Sequence, residues 1–225
     1  MVFYFFTTEE GSEEKYIIYM GKDKFENEDL IKYGFPEDLW FHVDDLSSAH
    51  VYLRTPPKMC GGLGGTVDVT KIPNKIIEEC ALLVKANSIE GHKLRRVKVV
   101  YTLWSNLKKT KAMDVGQVGF HNEKEVYKVD VDKPKDNTVV NRINKTQIER
   151  ETSILREHWE KRQKAVSKKN KDEKKAQEVE REQNIKKQKE EAESRSYSSV
   201  MKESNMKTNE DLSKLTVQQY EEDFM

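Results

Sequence analysis

Apolar and polar positions along the chain fall into two regimes. Residues 2–7 and 15–20 are runs of aromatic and β-branched side chains separated by a polar stretch. Such side chains suit a pleated, half-buried surface, so the pattern predicts two strands joined by a turn. Residues 39–43 and 49–54 predict two more strands around a turn at 44–48. In residues 97–103 the period is two: Val97, Val99 and Tyr101 share one face, with Lys98 and Thr102 on the other. Residues 115–120 and 125–131 are expected to close the sheet. Helical signals are fewer. Asn27 can cap a short helix through Tyr33, stopped by Gly34 and Pro36. Residues 73–89 place Ile76, Cys80, Leu83 and Val84 on one face, with Pro73 suited to the first turn and Gly91 to the stop. The expected class is α+β: a mainly antiparallel sheet with two helices packed on one face.

After Pro134 the pattern changes. No glycine and no further proline occurs, and Glu, Lys, Gln and Arg dominate. Glu157 with Lys161, Glu160 with Lys164, Glu182 with Lys186 and Glu191 with Arg195 are i,i+4 pairs that support an exposed helix over residues 141–195. Its apolar seam runs through Ile148, Leu155, Trp159 and Val166. It then thins to Ala176, Val179 and Ile185, which hold no heptad. A continuous helix of this length would span roughly 80 Å. It reads either as a solvated single helix or as a coiled coil that self-associates or docks a protein partner. The expected organisation is a domain at residues 1–135, a charged helix at 136–195 and a disordered acidic tail at 196–225.

Composition sharpens this division. Of 225 residues, 36% are charged and 36% hydrophobic. The charge is well above the ~25% of an ordinary soluble domain, which excludes one core running through the whole chain. The 40 basic and 40 acidic side chains cancel, and neutrality would argue against a nucleic-acid binder. The cancellation is a sum of opposed segments: 4 basic and 12 acidic side chains in residues 9–45, but 8 and 1 in residues 85–111. Residues 142–195 carry 17 and 12, and residues 196–225 carry 3 and 6. Cys60 and Cys80 make neither a disulfide framework nor a zinc site, so no metal is expected; Cys80 is a core candidate and the compartment a reducing one. No segment approaches the roughly 20 apolar residues of a membrane span, and residues 1–6 lack the features of a signal peptide. The expected location is the cytoplasm, with the nucleus as the alternative.

Four places could carry chemistry. Residues 40–50 hold Trp40, His42, Asp44, Ser48 and His50, enough to consider a hydrolase built on His42, Ser48 and His50. No nucleophile elbow is present, and the serines fall in a turn. Gly61, Gly62, Gly64 and Gly65 lack the Lys-Ser/Thr pair of a phosphate loop and read as a flexible loop. Gly21-Lys22-Asp23-Lys24-Phe25 lies between a strand and a helix, where backbone amides and two lysines favour an anion, against Glu26, Glu28 and Asp29. Residues 85–111 give the strongest signal. Lys93, Arg95, Arg96 and Lys98 lead into a strand, Tyr101 and Trp104 add flat rings, and Asn106, Lys108, Lys109 and Lys111 follow. Cations interleaved with rings fit backbone neutralisation plus base stacking on single strands.

These residues also carry a resemblance. Gly21-Lys22-Asp23-Lys24, Glu26-Asn27-Glu28-Asp29-Leu30-Ile31, Trp40-Phe41-His42-Val43-Asp44, Leu46-Ser47-Ser48-Ala49-His50-Val51-Tyr52-Leu53-Arg54, Leu83-Val84-Lys85-Ala86-Asn87-Ser88-Ile89, Trp104-Ser105-Asn106-Leu107-Lys108-Lys109-Thr110 and Met113-Asp114-Val115-Gly116-Gln117-Val118-Gly119-Phe120-His121 resemble the NFACT-R domain family. The likeness runs through residues 1–131 and returns at 195–202. It implies an RNA-binding role, since relatives carry the domain inside ribosome quality-control factors that engage tRNA; the implied ligand is tRNA or ribosomal RNA. It also implies no catalytic residues and no cofactor. The family's motif positions here are Gly21, Lys22, Asp23, Lys24, Asn27, Trp40, His42, His50, Arg54, Lys85, Asn87, Asn106, Lys108 and Lys109. Phe25 and Trp104 join them as candidate nucleic-acid-binding residues, and Lys22, Lys24, Lys85, Lys108 and Lys109 form the clamp on the backbone. Residues 56–70 look like a variable insertion, and the partner domains of the large factors are absent. DNA stays open as the ligand, because phosphate contacts do not distinguish the sugars. A protein-interaction adaptor working through the helix is the other reading.

Overall fold

The computed structural model describes residues 1–9, 11, 14–65, 67–133 and 137–196. Its strands are β1 (Val2–Thr8), β2 (Lys15–Gly21), β3 (Leu39–Val43), β4 (Val51–Arg54), β5 (Arg96–Leu103), β6 (Leu107–Lys108), β7 (Gly119–Phe120), β8 (Tyr127–Asp132) and β9 (Ile148–Arg150). Its helices are α1 (Lys24–Tyr33), α2 (Asn74–Ala86), α3 (Thr138–Asn144) and α4 (Thr152–Arg195). Seven strands form one sheet in the order β8-β5-β3-β4-β2-β1-β9, every neighbouring pair antiparallel. The α+β expectation holds.

Alternation along the strands gives the sheet two apolar faces. Phe5, Ile18, Phe41, Val51, Leu53, Val97 and Val99 meet Ile76, Cys80, Leu83 and Val84 of α2 and Ile143 of α3. Val2, Tyr4, Tyr19, Tyr52, Trp40 and Val100 lie in a second cluster with Leu30 of α1 and Leu155 of α4. Helices therefore cover both faces rather than one. The reason is legible in the strands: Tyr4, Tyr19, Tyr52 and Trp40 make the second face too apolar to leave in water.

Several elements differ from expectation. α1 starts before Asn27, because Asp23 takes the cap: its Oδ1 accepts from the amides of Phe25 at 2.7 Å and Glu26 at 3.3 Å. α2 ends at Ala86, where Asn87 turns its Nδ2 back onto the Leu83 carbonyl at 2.9 Å. Of residues 115–120 only Gly119 and Phe120 are strand. They pair with Leu107 and Lys108 as a separate two-stranded ribbon and do not close the main sheet.

The charged helix starts at Thr152, not near 141. Ahead of it, Arg142 of α3 donates to the buried Glu79 of α2 at 2.5 Å, and Ile143 is wholly buried. β9 then pairs with the edge of β1, placing Arg150 opposite Val2. Residues Met1–Ser167 form one compact unit, and α4 beyond Lys168 belongs to a second. Within the first, the root of α4 is seated by Leu155, by Trp159 edge-on to Tyr33 at 5.7 Å, and by an ion pair of Arg162 with Glu37. From Lys168 to Arg195 the side chains are exposed, as the fading apolar seam requires. The tail expected at 196–225 lies, beyond Ser196, outside the described residues.

Candidate nucleic-acid interface

Under α1 the strand register lines up Tyr4, Tyr19, Tyr52, Trp40 and Thr102 across five strands. Tyr19 stacks on Tyr4 at 5.8 Å and on Tyr52 at 5.0 Å. Two residues along β3, His42 lies flat against the Trp40 indole at 5.5 Å. His50 meets both rings edge-on, at 5.4 Å from Trp40 and 5.1 Å from His42. Burial pushes the His50 imidazole down to about 3, with His42 and Lys109 adding to the effect. Burial likewise lowers His42, whose Nδ1 lies 2.7 Å from the Val43 carbonyl. Both rings are neutral packing elements at physiological pH. Ser48 is held by its turn, with Oγ accepting from the Val43 amide at 3.0 Å and donating to the Ala49 carbonyl. The three residues considered for a hydrolase thus each have a structural partner.

The turn at residues 21–25 splits into packing and exposed parts. A Cβ on Gly21 would sit 2.6 Å from Asn27 Oδ1, so the missing side chain is what lets α1 approach β2. Asp23 already accepts from the Phe25 and Glu26 amides, two of those an incoming anion would use at this helix start. What remains is outward-facing: Lys22, Lys24 and a Phe25 ring that is 65% exposed, with Lys24 Nζ 5.4 Å from its centroid.

Several other candidates are bound up inside the fold. Arg54 forms a bidentate pair with the buried Asp38, at 3.0 and 2.7 Å, and its guanidinium lies 3.7 Å from the Phe35 ring centroid. Asp38 and Tyr19 hold that guanidinium firmly charged despite burial. Lys85 is buried, with Nζ donating to the carbonyls of Arg95 at 3.0 Å and Val131 at 3.1 Å. Asn106 ties the chain to residue 122, donating to the Asn122 carbonyl and accepting from its amide. Trp104 rests on Gly34 and donates from Nε1 to the Leu30 carbonyl at 3.3 Å. Tyr101 is stacked between Phe41 at 5.3 Å and Tyr127 at 5.4 Å. Arg54, Lys85, Asn87, Trp104 and Asn106 therefore build the domain, and neither Trp104 nor Tyr101 is a free stacking platform.

Lys109 has the most instructive position. Its Nζ donates to Glu28 Oε1 at 2.7 Å, to the Asp114 carbonyl at 2.7 Å and to the Gln117 carbonyl at 2.9 Å. The Gly116 amide donates to the same Glu28 oxygen at 2.6 Å. Burial would raise the Glu28 carboxyl, yet the Gly116 amide and Lys109 outweigh it and hold the group below the usual carboxylate range. Gly116 has φ +83°, and a Cβ there would sit 3.7 Å from that of Lys24, so the loop lies against the start of α1. This tie sets the loop that carries exposed Lys111 and Val115 against the start of α1, where Lys24 and Phe25 are exposed.

Glu28, Gly116 and Val115 do not stand out as site residues in the sequence, where Lys111 reads only as part of the basic window. Gly116 could be found there as a turn glycine; nothing in the sequence links Glu28 to Lys109. Among the described residues no three His, Cys, Asp or Glu side chains gather as a metal site. Among the same residues no helix is long and apolar enough to cross a membrane.

An exposed ring with a lysine beside it, at the start of a helix packed on an antiparallel sheet, has the make-up of a nucleic-acid-binding module. The chain belongs to the family described as the NFACT protein RNA binding domain, whose model matches residues 1–122. It is 51% identical to coiled-coil domain-containing protein 25 of Bos taurus, across 94% of this chain and 96% of that one. It is 56% identical to the coiled-coil domain-containing protein 25 homolog of Dictyostelium discoideum, across 64% of this chain and 65% of that one. A solved structure of the C-terminal part of a fibronectin/fibrinogen-binding protein from Streptococcus suis matches with a TM-score of 0.47 and 20% identity, covering 64% of this chain and 49% of that one.

Proposed function

We propose that this protein binds RNA without chemical turnover, gripping the phosphate backbone with Lys22, Lys24, Lys108 and Lys111 and stacking a base on Phe25. The observation that carries this reading is the exposed Phe25 ring with Lys24 Nζ 5.4 Å from its centroid, at the start of the helix onto which Lys109 ties its loop; Lys22, Lys24, Lys108 and Lys111 are exposed, and none is salt-bridged to a carboxylate among the described residues. The family supplies the ligand class. The RNA is tRNA or ribosomal RNA, engaged in the cytoplasm in translation or ribosome quality control. The folded unit of residues 1–167 does the binding, and α4 beyond it serves as a tether or a docking surface for a protein partner.

The test is fluorescence anisotropy with labelled tRNA and with single-stranded RNA and DNA of one sequence, over a range of salt. Four neutralised phosphates give a slope of log K against log salt near −3 for single strands. An affinity indifferent to salt, or unchanged in a Lys24→Ala, Lys108→Ala double variant, would sink the proposal. Equal affinity for RNA and DNA would show that only the backbone and ring faces are read.

A further inference from the structure

The loop that reads in sequence as a variable insertion forms one wall of a cavity. Gly64 leans on the root of α4, where a Cβ would lie 3.7 Å from Val166. Between the two lies a space of about 520 Å³ lined by Phe35, Thr55, Cys60, Leu63, Lys161 and Arg162, among others. Its walls are mostly apolar. Its floor is electrically balanced, because Arg54 is matched by Asp38 and Arg162 by Glu37, with both guanidiniums over the Phe35 ring at 3.7 and 4.7 Å. Thr55 Oγ1 and Cys60 Sγ satisfy each other at 3.1 Å.

The rim is not balanced. His158 and Lys161 both line the cavity, both are exposed, and they stand three residues apart on one face of α4. Neither is salt-bridged to a carboxylate among the described residues. A cation-edged opening into an apolar, neutral interior complements a ligand with a flat, weakly polar body and an anionic group at one end. Small-molecule sites have this make-up and this size. A space of about 520 Å³ has room for a nucleotide, whose base is the flat body and whose phosphate is the anionic end.

We propose that this cavity takes a single unpaired nucleotide, with its base against Leu63 and Ala165 and its phosphate on Lys161 and His158. The inference rests on the RNA-binding reading for where such a nucleotide comes from, but it concerns a second site with its own residues. The loop of residues 56–65 is then a wall of a base pocket rather than a spacer. Its glycines at 61, 62 and 64 adopt positive φ, a conformation that lets the chain curl over the opening.

The experiment uses the full chain and four probes: adenosine 5′-monophosphate, adenosine, inorganic phosphate and N-acetylphenylalanine, followed by methyl NMR at Leu63 and Ala165. The nucleotide should shift both methyls saturably and bind more tightly than either fragment. Lys161→Ala should weaken it roughly tenfold, the loss of one charge-assisted hydrogen bond. Ala165→Trp, at an exposed helical position, should block it. Lys24→Ala should leave it unchanged. No shift at Leu63 and Ala165, or inorganic phosphate binding as well as the nucleotide, would overturn the proposal. So would tighter binding of N-acetylphenylalanine, which would assign the cavity to a peptide carboxylate. The two readings fail separately: loss of oligonucleotide binding with the nucleotide still at Leu63 removes only the RNA patch, and the reverse removes only the pocket.

Discussion

Lys109 and Glu28 stand 81 residues apart in sequence and 2.7 Å apart in space. The pair closes the loop of residues 110–118 onto the start of α1, because the same ammonium also holds the carbonyls of Asp114 and Gln117. A lysine whose neighbours suggest phosphate binding thus serves to close a loop onto a helix.

Removing that tie should separate shape from charge. Lys109→Ala should cost about 1–2 kcal/mol of stability, for a half-buried charge-assisted network open on one side to solvent. RNA affinity should fall with it, while the slope of log K against log salt stays near its original value, because no phosphate contact has been deleted. Lys108→Ala should do the opposite, leaving stability untouched and reducing the slope by about 0.7. Denaturant titration and salt-dependent anisotropy on the two variants check both halves.

Lys85 offers a cleaner structural case. Its ammonium satisfies two carbonyls, of Arg95 and Val131, in the seam between α2 and β8. Lys85→Met keeps the stem and deletes the donor, leaving two acceptors without a partner at a cost of about 2 kcal/mol. RNA affinity of the folded protein should not change. A variant that folds normally and loses RNA binding would return Lys85 to the interface.

Lys85, Arg54 and Asp23 show where sequence reading stops. Strands are legible because Val97, Val99 and Tyr101 alternate with Lys98 and Thr102, and α2 because its apolar face recurs at helical spacing. α3 and β9 are not, since Val139, Val140, Ile143 and Ile148 are few among polar residues and Ile148 fits the seam of one long charged helix, and what sets them apart is Glu79 and the edge of β1. Among the site candidates, a lysine facing phosphate and a lysine facing a carbonyl are written with the same letter. The partners that decide between the two roles, Asp38 for Arg54 and Arg95 for Lys85, are fixed only by the packed fold. Lys22, Lys24, Phe25 and Lys108 are candidates in the sequence and are left facing water.

Acid should weaken the fold through His50. Its folded value of about 3 lies below the ordinary 6.5, so between these limits the unfolded chain binds a proton that the folded chain refuses. The associated stability is complete above pH 6.5 and lost as pH falls toward 3. The slope approaches about 1.4 kcal/mol per pH unit for one proton. His42, lowered in the same direction, adds to it. Denaturant midpoints measured from pH 7 to 4 should fall steeply for the natural chain and less steeply for His50→Gln. Parallel curves would show that His50 does not carry the effect.

Where the chain can be cut tests how much of the polar C-terminal half belongs to the domain. A chain ending at Ser167 keeps Ile143, β9, Leu155 and the Arg162 partner of Glu37, and should unfold cooperatively at nearly the full-length midpoint. A chain ending at residue 135 loses two fully buried side chains, each contributing about 1.5–3 kcal/mol. It also leaves Glu37 without its cation and strips the cover from Tyr4 and Tyr19. Against a typical stability of about 5–15 kcal/mol these losses are most of the total. The shorter chain should therefore aggregate or melt far below the longer one in a thermal scan. If it folds as stably, the sheet needs neither α3 nor the root of α4, and the cavity beside Phe35 would lack a second wall in any truncated form that still binds RNA.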